Sequence, residues 1–399
     1  MKALHFGAGN IGKGFIGYLL NKTGYEVCFV DVNQQMVDSF NETNRYVFEL
    51  LDDSQTEIAV SPVSALNSLT QEEQVIEAIA KADLITTSVG VQNLSRIAPV
   101  LSKGLLKRQR ENKNKIDILA NENAINASST LKQEIAQLVS ASEMEEINAF
   151  AGFPNTAIDR LSLSKTTDDG EIALVEPFYE WVINKSEMTN LDLPSIQDAL
   201  YVEDLKPYIE RKLYILNMGH ATTAYIGFLA NEATIQSALE KPAIEQFVRE
   251  TLEEASHYIH HTFGITHEEL HLFIEKILKR FQNKNISDDV FRVGRSPIRK
   301  LSFNERLTQP ARELAELGLP VGHLAIAVAA AFLFDNPQDE ESAALQAYIQ
   351  ENGIEKAIPH FTQIENQQLV KRISENYNRL KNSSADELLA VLQEAGKEN

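Results

Sequence analysis

Three side chains in the stretch RKLYILNMGH (211–220) could together take a proton from an alcohol: Lys212, Asn217 and His220. A lysine whose pKa is lowered toward about 7–8 by burial and nearby positive charge is a general base at neutral pH. An asparagine amide can hold the substrate oxygen as negative charge develops on it. A histidine can orient the substrate through its neighbouring hydroxyls. On a helical wheel turning about 100° per residue, His220 lies about 80° and Asn217 about 140° from Lys212, so one cavity could receive all three. The same residues also fit an ordinary helix, with Lys212 snorkelling to solvent and the other two satisfied as helix polars. Taken alone, the ordinary helix is the commoner arrangement.

A second chemical pattern opens the chain. HFGAGNIGKG carries Gly7-x-Gly9-x-x-Gly12, preceded by the apolar strand KALHF and followed by a helical pattern. A second strand, YEVCFVDV, carries Asp31 at its end, one residue before Val32 and nineteen residues after Gly12. In that setting Gly7 makes a tight turn, Gly9 lets backbone approach a pyrophosphate, and Gly12 packs helix on strand. The backbone of Gly7, Ala8, Gly9, Asn10, Ile11 and Gly12 would then cradle the dinucleotide at a helix N-terminus. Asp31 would accept the ribose hydroxyls. A carboxylate there repels a 2′-phosphate, and the following VNQQ supplies no arginine, so the expected cofactor is NAD, not NADP. TTSVGVQN (86–93) places Ser88 and Gly90 after another strand, where small residues admit a cofactor; an ordinary glycine turn reads equally well. NEN (121–123) closes the strand IDILA and puts Asn123 where ligands sit in parallel sheets, although asparagine also favours plain turns.

Two further patterns have competing readings. HEELH (267–271) matches the zinc-protease signature H-E-x-x-H, with Glu268 as the base. The preceding Thr266 is a good N-cap and the glutamates suit a first helical turn, so capping explains the segment and no metal is expected. FRVGRSPIRKLSFNERL (291–307) is a basic island in an acidic chain, with Arg292, Arg295, Arg299, Lys300 and Arg306. It reads either as surface salt bridges or as an anion clamp, with Arg295, Arg299 and Lys300 the candidates to hold a phosphate.

These residues need elements to position them. Up to about residue 190, strand and helix signals alternate: 2–6 and 25–32 read as strands, and 82–90, 115–123 and 146–153 as strand-then-polar-turn units, which argues for an α/β doubly wound parallel sheet. After the turn NLDLPS, helical patterns dominate at 204–230, 241–262, 266–284, 304–318, 321–334, 339–351 and 365–395. The expected organisation is a nucleotide-binding domain over 1–190 and a helical domain over 191–399. VGHLAIAVAAAFLF (321–334) is too short to span a bilayer and reads as a buried core helix. The C-terminal stretch reads as two solvated surface helices. The net charge of −20 argues against nucleic acid or an anionic membrane as partner. A single cysteine, Cys28, excludes an internal disulfide and fits a reducing, cytoplasmic setting; the start MKALHFGAGN lacks a signal-peptide h-region.

Read together, the pieces carry a resemblance. K-L-Y-I-L-N-M-G-H is similar to the K-x-x-x-x-N-x-x-H signature of the polyol-specific long-chain dehydrogenases, the mannitol dehydrogenase family. ALHFGAGNIGKGFIG, NAFAGFPNTAIDRL, VEPFYEWV and GRSPIRKLS resemble further segments of it, so the likeness runs over nearly the whole chain. The mannitol 2-dehydrogenases and hexuronate reductases of the family are longer, which points to its bacterial polyol-phosphate branch. The resemblance implies an N-terminal Rossmann domain followed by a mostly α-helical domain. It also implies NAD-dependent, metal-independent interconversion of mannitol 1-phosphate and fructose 6-phosphate in a cleft between domains. By motif, Lys212 is the implied general base, Asn123 and Asn217 the oxyanion-type donors, and His220 the substrate-positioning residue. Longer relatives carry an acidic residue three positions before the lysine; here that position is Ile209, beside Glu210, and the role is not transferred. The alternatives are a hexuronate reductase, a zinc hydrolase built on HEELH, and a non-catalytic NAD-binding sensor. A monomer or small homo-oligomer is expected.

Overall fold

The computed structural model describes residues 1–167 and 170–395, so the last residues of the C-terminal stretch, 396–399, lie outside the described residues. The chain separates into two compact units, Met1–Tyr208 and Ile209–Asn399. The contacts thus divide later than the change of pattern at 190, because the strand Ala199–Val202 still pairs with Glu180–Asn184.

The first unit is built on a six-stranded parallel sheet. Its strands are β1 (Lys2–Phe6), β2 (Glu26–Asp31), β3 (Val63–Asn67), β4 (Leu84–Thr87), β5 (Ile116–Ala120) and β6 (Ala151–Gly152). Their order, β3-β2-β1-β4-β5-β6, is that of a doubly wound Rossmann sheet. Alternation along each strand feeds two cores. Ala3, Val27 and Phe29 join Phe15, Leu19 and Trp181 on one side; Leu4, Phe6 and Val30 join Ile79, Leu101 and Leu105 on the other. Phe6 pairs with both Val30 and Thr87, and Thr87 with Ala120. That register brings the residues after the strands, Gly7, Asp31, Ser88 and Asn121, to one edge of the sheet.

The strand expected within 146–153 is present but short: 146–148 end a helix and 149–150 form a turn before it. Ser140 and Glu143 form a capping box that starts a helix over Ala141–Asn148, and only Ala151–Gly152 pairs as strand. Two smaller sheets are additional to the expected sheet. One is four-stranded and contains Ser162–Thr167, Gly170–Val175, Tyr46–Leu50 and Glu57–Val60; the other joins Ala199–Val202, Glu180–Asn184 and Thr156–Asp159.

The second unit is helical. Its centre is the Gly322–Leu333 helix, in which every residue from Gly322 to Phe332 is buried. A helix apolar all round must be enclosed, and the expected core helix is found. The C-terminal helices Gln367–Lys381 and Ala385–Glu394 are not merely solvated. They bury Leu369, Ile373, Tyr377 and Leu380, and Leu388 and Leu392, because an amphipathic face this long needs a partner. Among the described residues, no helix is long and apolar enough to cross a membrane.

Candidate active site

The glycine loop folds as its spacing requires. Gly7 adopts φ +97°, and a Cβ there would lie 2.6 Å from the Ser88 carbonyl oxygen. A Cβ on Gly12 would lie 2.0 Å from the Gly7 carbonyl oxygen, so both positions exclude a side chain. Gly9 is the reverse case: it is exposed, and a Cβ there would meet nothing within 4 Å. The loop is therefore packed tightly beneath and open above, the form a bound pyrophosphate requires. Asp31, at the end of β2, accepts from the Ala8 N–H at 2.7 Å and the Asn33 N–H at 3.0 Å, which sets its carboxylate beside the loop. The small four-stranded sheet braces the loop's helix. Lys13 Nζ donates to the Glu171 carbonyl at 2.8 Å, Tyr46 Oη donates to the Lys13 carbonyl at 2.7 Å, and Asn10 Nδ2 donates to Ser164 Oγ at 2.8 Å.

The TTSVG loop is fastened by a residue the sequence reading passed over. The buried Glu122 carboxylate accepts from Thr87 Oγ1 at 2.7 Å, the Val89 N–H at 3.0 Å and the Gly90 N–H at 2.7 Å. Ser88 Oγ lies 2.9 Å from His5 Nε2, and His5 is neutral because burial pushes its pKa down to about 3. Ser88 and Gly90 thus sit in a fixed loop against Gly7, while Asn123 is exposed just beyond the end of the neighbouring strand β5.

In the second unit, Lys212–Asn217 is a π-helical turn running directly into the Met218–Leu229 helix. The Met218 N–H reaches back to the Leu213 carbonyl, five residues earlier. A π-turn repeats at i→i+5, the spacing of Lys212 and Asn217, so it sets these two nearer one face than an α-helix would. Lys212 is half-buried.

Asn217 and His220 line a cavity of about 160 Å3 together with Arg292, Arg295, Arg299, Lys300 and Arg306. The basic island therefore folds back onto the lysine-bearing helix. Tyr225 Oη, from that helix, donates to the Gly294 carbonyl at 3.0 Å and holds the turn carrying Arg295. Ser296 follows with φ +57°, a left-handed conformation secured by the Asp339 carboxylate on its N–H at 2.7 Å. The cations differ in how they are engaged. Arg292 pairs with Asp288, and Arg299 and Arg306 share Glu305 at 3.4 and 3.0 Å. Lys300 is buried and donates to the carbonyls of Val293 and Arg295. Burial, and then the charges of Arg306, Arg299 and Arg295, push its pKa down to about 7. Among the described residues, the Arg295 guanidinium alone of these cations has no hydrogen-bonding or ion-pair partner. His220 Nε2 lies 2.6 Å from Asp288 Oδ2, and its ring stacks on Phe281. Burial, reinforced by the charges of Arg280, Arg292, Lys300 and Arg306, pushes its pKa down to about 3, so the ring is neutral.

HEELH serves as a helix start. Thr266 and Glu269 form a capping box, and among the described residues no three His, Cys, Asp or Glu side chains gather as a metal ion would need. Glu210, beside the non-acidic Ile209, accepts from Tyr258 Oη at 2.7 Å. Asp288 and Phe281 were invisible to the motif reading; both precede the basic island and meet His220 only in three dimensions.

The mannitol dehydrogenase Rossmann domain matches residues 1–196, and the mannitol dehydrogenase C-terminal domain matches residues 204–381. Mannitol-1-phosphate 5-dehydrogenase of Geobacillus stearothermophilus is 43% identical over 383 residues, covering 96% of this chain and 100% of the relative. The protein of the same name from Bacillus licheniformis is 43% identical over 353 residues, 88% of this chain and 93% of the relative. Among solved structures, the Pseudomonas fluorescens mannitol 2-dehydrogenase ternary complex with NAD and D-mannitol aligns with a TM-score of 0.71 at 16% identity, covering 100% of this chain and 95% of that one. Substrate-free D-sorbitol dehydrogenase aligns with a TM-score of 0.81 at 13% identity, covering 98% of this chain and 94% of that one. At such identities these two structures speak for the fold alone.

Proposed function

This chain belongs to the mannitol dehydrogenase family, and we propose that it oxidises D-mannitol 1-phosphate to D-fructose 6-phosphate with NAD+, and catalyses the reverse reduction, without a metal. The observation that carries the substrate is the cavity in which Asn217 and His220 meet five cationic side chains. A neutral polyol does not need such a charge; a phosphate dianion does. Sequence identity of 43% to mannitol-1-phosphate 5-dehydrogenases over nearly the whole chain supports the same substrate.

NAD supplies the hydride acceptor, and the residues present fit it. The backbone over Gly7, Ala8, Gly9, Asn10, Ile11 and Gly12 offers N–H groups to a pyrophosphate, Asp31 offers its carboxylate to a ribose, and Ser88 and Gly90 lie in the neighbouring fixed loop. In the oxidation, Lys212 takes the substrate hydroxyl proton onto Nζ as hydride leaves the same carbon. Asn217 and Asn123 donate to the oxygen as it acquires negative charge. In the reduction, protonated Lys212 returns the proton. His220 holds a neighbouring hydroxyl. Arg295 grips the phosphate, with Arg299 and Lys300 lending charge. The partner this reading requires is a small sugar phosphate.

Kinetics of Arg295→Ala test the phosphate assignment. The expected result is a KM for fructose 6-phosphate raised about 10- to 100-fold, with NADH binding unchanged, since a charge-assisted pair contributes about 1.5–3 kcal/mol. An unchanged KM would remove Arg295 from the site and with it the argument for phosphate.

A further inference from the structure

Asp288 is 3% exposed, and its carboxylate holds His220 from one edge while Phe281 covers a ring face at 4.9 Å between centroids. The aspartate is itself fixed: its N–H donates to Gln236 Oε1 at 3.2 Å, its carbonyl accepts the Ile235 N–H at 2.9 Å, and Arg292 pairs with its side chain. An arginine partner keeps the carboxylate ionised, and an ionised carboxylate has only acceptors. The hydrogen in the contact must therefore sit on His220 Nε2. A neutral imidazole carries one N–H, so Nδ1 keeps its lone pair. Nδ1 has no hydrogen-bond partner among the described residues.

The lining of the cavity gives this a chemical meaning. Apart from Ala221 and Val293, its side chains are Asn217, His220, four arginines and a lysine. The arginines and a protonated lysine only donate. A sugar hydroxyl has a proton to donate as well as lone pairs, and of these side chains Asn217 and His220 are the ones that can accept it. With the opposite tautomer, His220 would present one more donor.

We infer that Asp288 is a positioning residue that keeps the His220 proton on Nε2 and so preserves Nδ1 as the acceptor for a substrate hydroxyl. This rests on His220 being a substrate-positioning group. Asp288→Asn places an amide that can donate to Nε2, which moves the ring proton to Nδ1. Asp288→Glu retains the carboxylate.

The test is a double-mutant cycle on NADH oxidation by fructose 6-phosphate, with Asp288→Asn made in the native chain and in His220→Ala. The expected result is a fall in kcat/KM of about 10- to 100-fold for Asp288→Asn in the native chain, and little further loss in His220→Ala. NADH affinity stays within about twofold, and Asp288→Glu recovers much of the loss. Nitrogen-15 NMR of histidine-labelled native protein, with His220→Ala used for assignment, should show the His220 proton on Nε2. A proton on Nδ1, native kinetics for a folded Asp288→Asn, or an equal loss in both backgrounds would overturn the inference. Full activity of His220→Ala would instead remove the His220 reading on which it rests. If Asp288→Asn does not fold, the NMR result on the native chain decides.

Discussion

Lys212 carries the chemistry in this account, and its neighbours explain how far a sequence can go. Lys212, Asn217 and His220 stand out as candidates because their spacing is local and each residue type has a limited chemical repertoire; the cavity is lined by Asn217 and His220. On an α-helix Lys212 and Asn217 would lie about 140° apart; the π-turn at Lys212–Asn217 sets them closer to one face. Asp288 was not legible because it lies 68 residues from His220 in sequence. Glu122, between two asparagines, belongs to no motif, yet its buried carboxylate accepts from a hydroxyl and two backbone N–H groups and fixes the loop. At this scale the prediction is sharp. Replacing Lys212 with alanine should lower kcat for fructose 6-phosphate reduction by about 10²- to 10⁴-fold, the usual contribution of a general acid or base. NADH titration should give a native affinity. Native turnover would remove Lys212 from its role.

Elements were legible where a strand ended in a polar turn with a chemical purpose. β1, β2, β4 and β5 each do so; the first three deliver residues of the proposed cofactor site and β5 delivers Asn123 of the proposed substrate site. β3 and the two smaller sheets were not anticipated, because short strands such as VSALN show neither a clean alternation nor a functional turn. The strand expected within 146–153 is confined to Ala151–Gly152 because the helix that a capping box at Ser140 starts runs on to Asn148. The Gly322–Leu333 helix illustrates a device that periodicity does not reveal. Its N-cap, Val321, offers no capping side chain, and Glu254 from the Pro242–Phe263 helix accepts the His323 and Leu324 N–H groups at 3.1 and 2.8 Å. His323 lies between Glu254 and Glu250, at 3.2 and 3.0 Å. Burial alone would lower its pKa, but the hydrogen bonds and charges of Glu254 and Glu250 outweigh that and raise it. A histidine with a raised folded pKa stabilises fully below the unfolded value of about 6.5, and the contribution is lost as pH rises through the folded value. Thermal melts between about pH 6 and pH 9 should therefore show a larger loss of Tm in the native chain than in His323→Gln. Parallel profiles would mean that the pair contributes no pH-dependent stability.

The whole molecule combines an overall charge of −20 with one local concentration of cations. Net charge argued against nucleic acid and anionic membranes, yet it concealed a site suited to a small anion. That site became visible only when 292–306 met 217–220 in the fold. Under the proposed function, the Rossmann unit would bind the dinucleotide and the helical unit would present the lysine; the family match spans both units. The most direct test of the whole account is NADH oxidation with fructose 6-phosphate, compared with free fructose and fructuronate, each with and without a chelator. Rapid oxidation with fructose 6-phosphate alone, unchanged by the chelator, is the predicted result. Oxidation with fructuronate in its place, or activity abolished by the chelator, would contradict it.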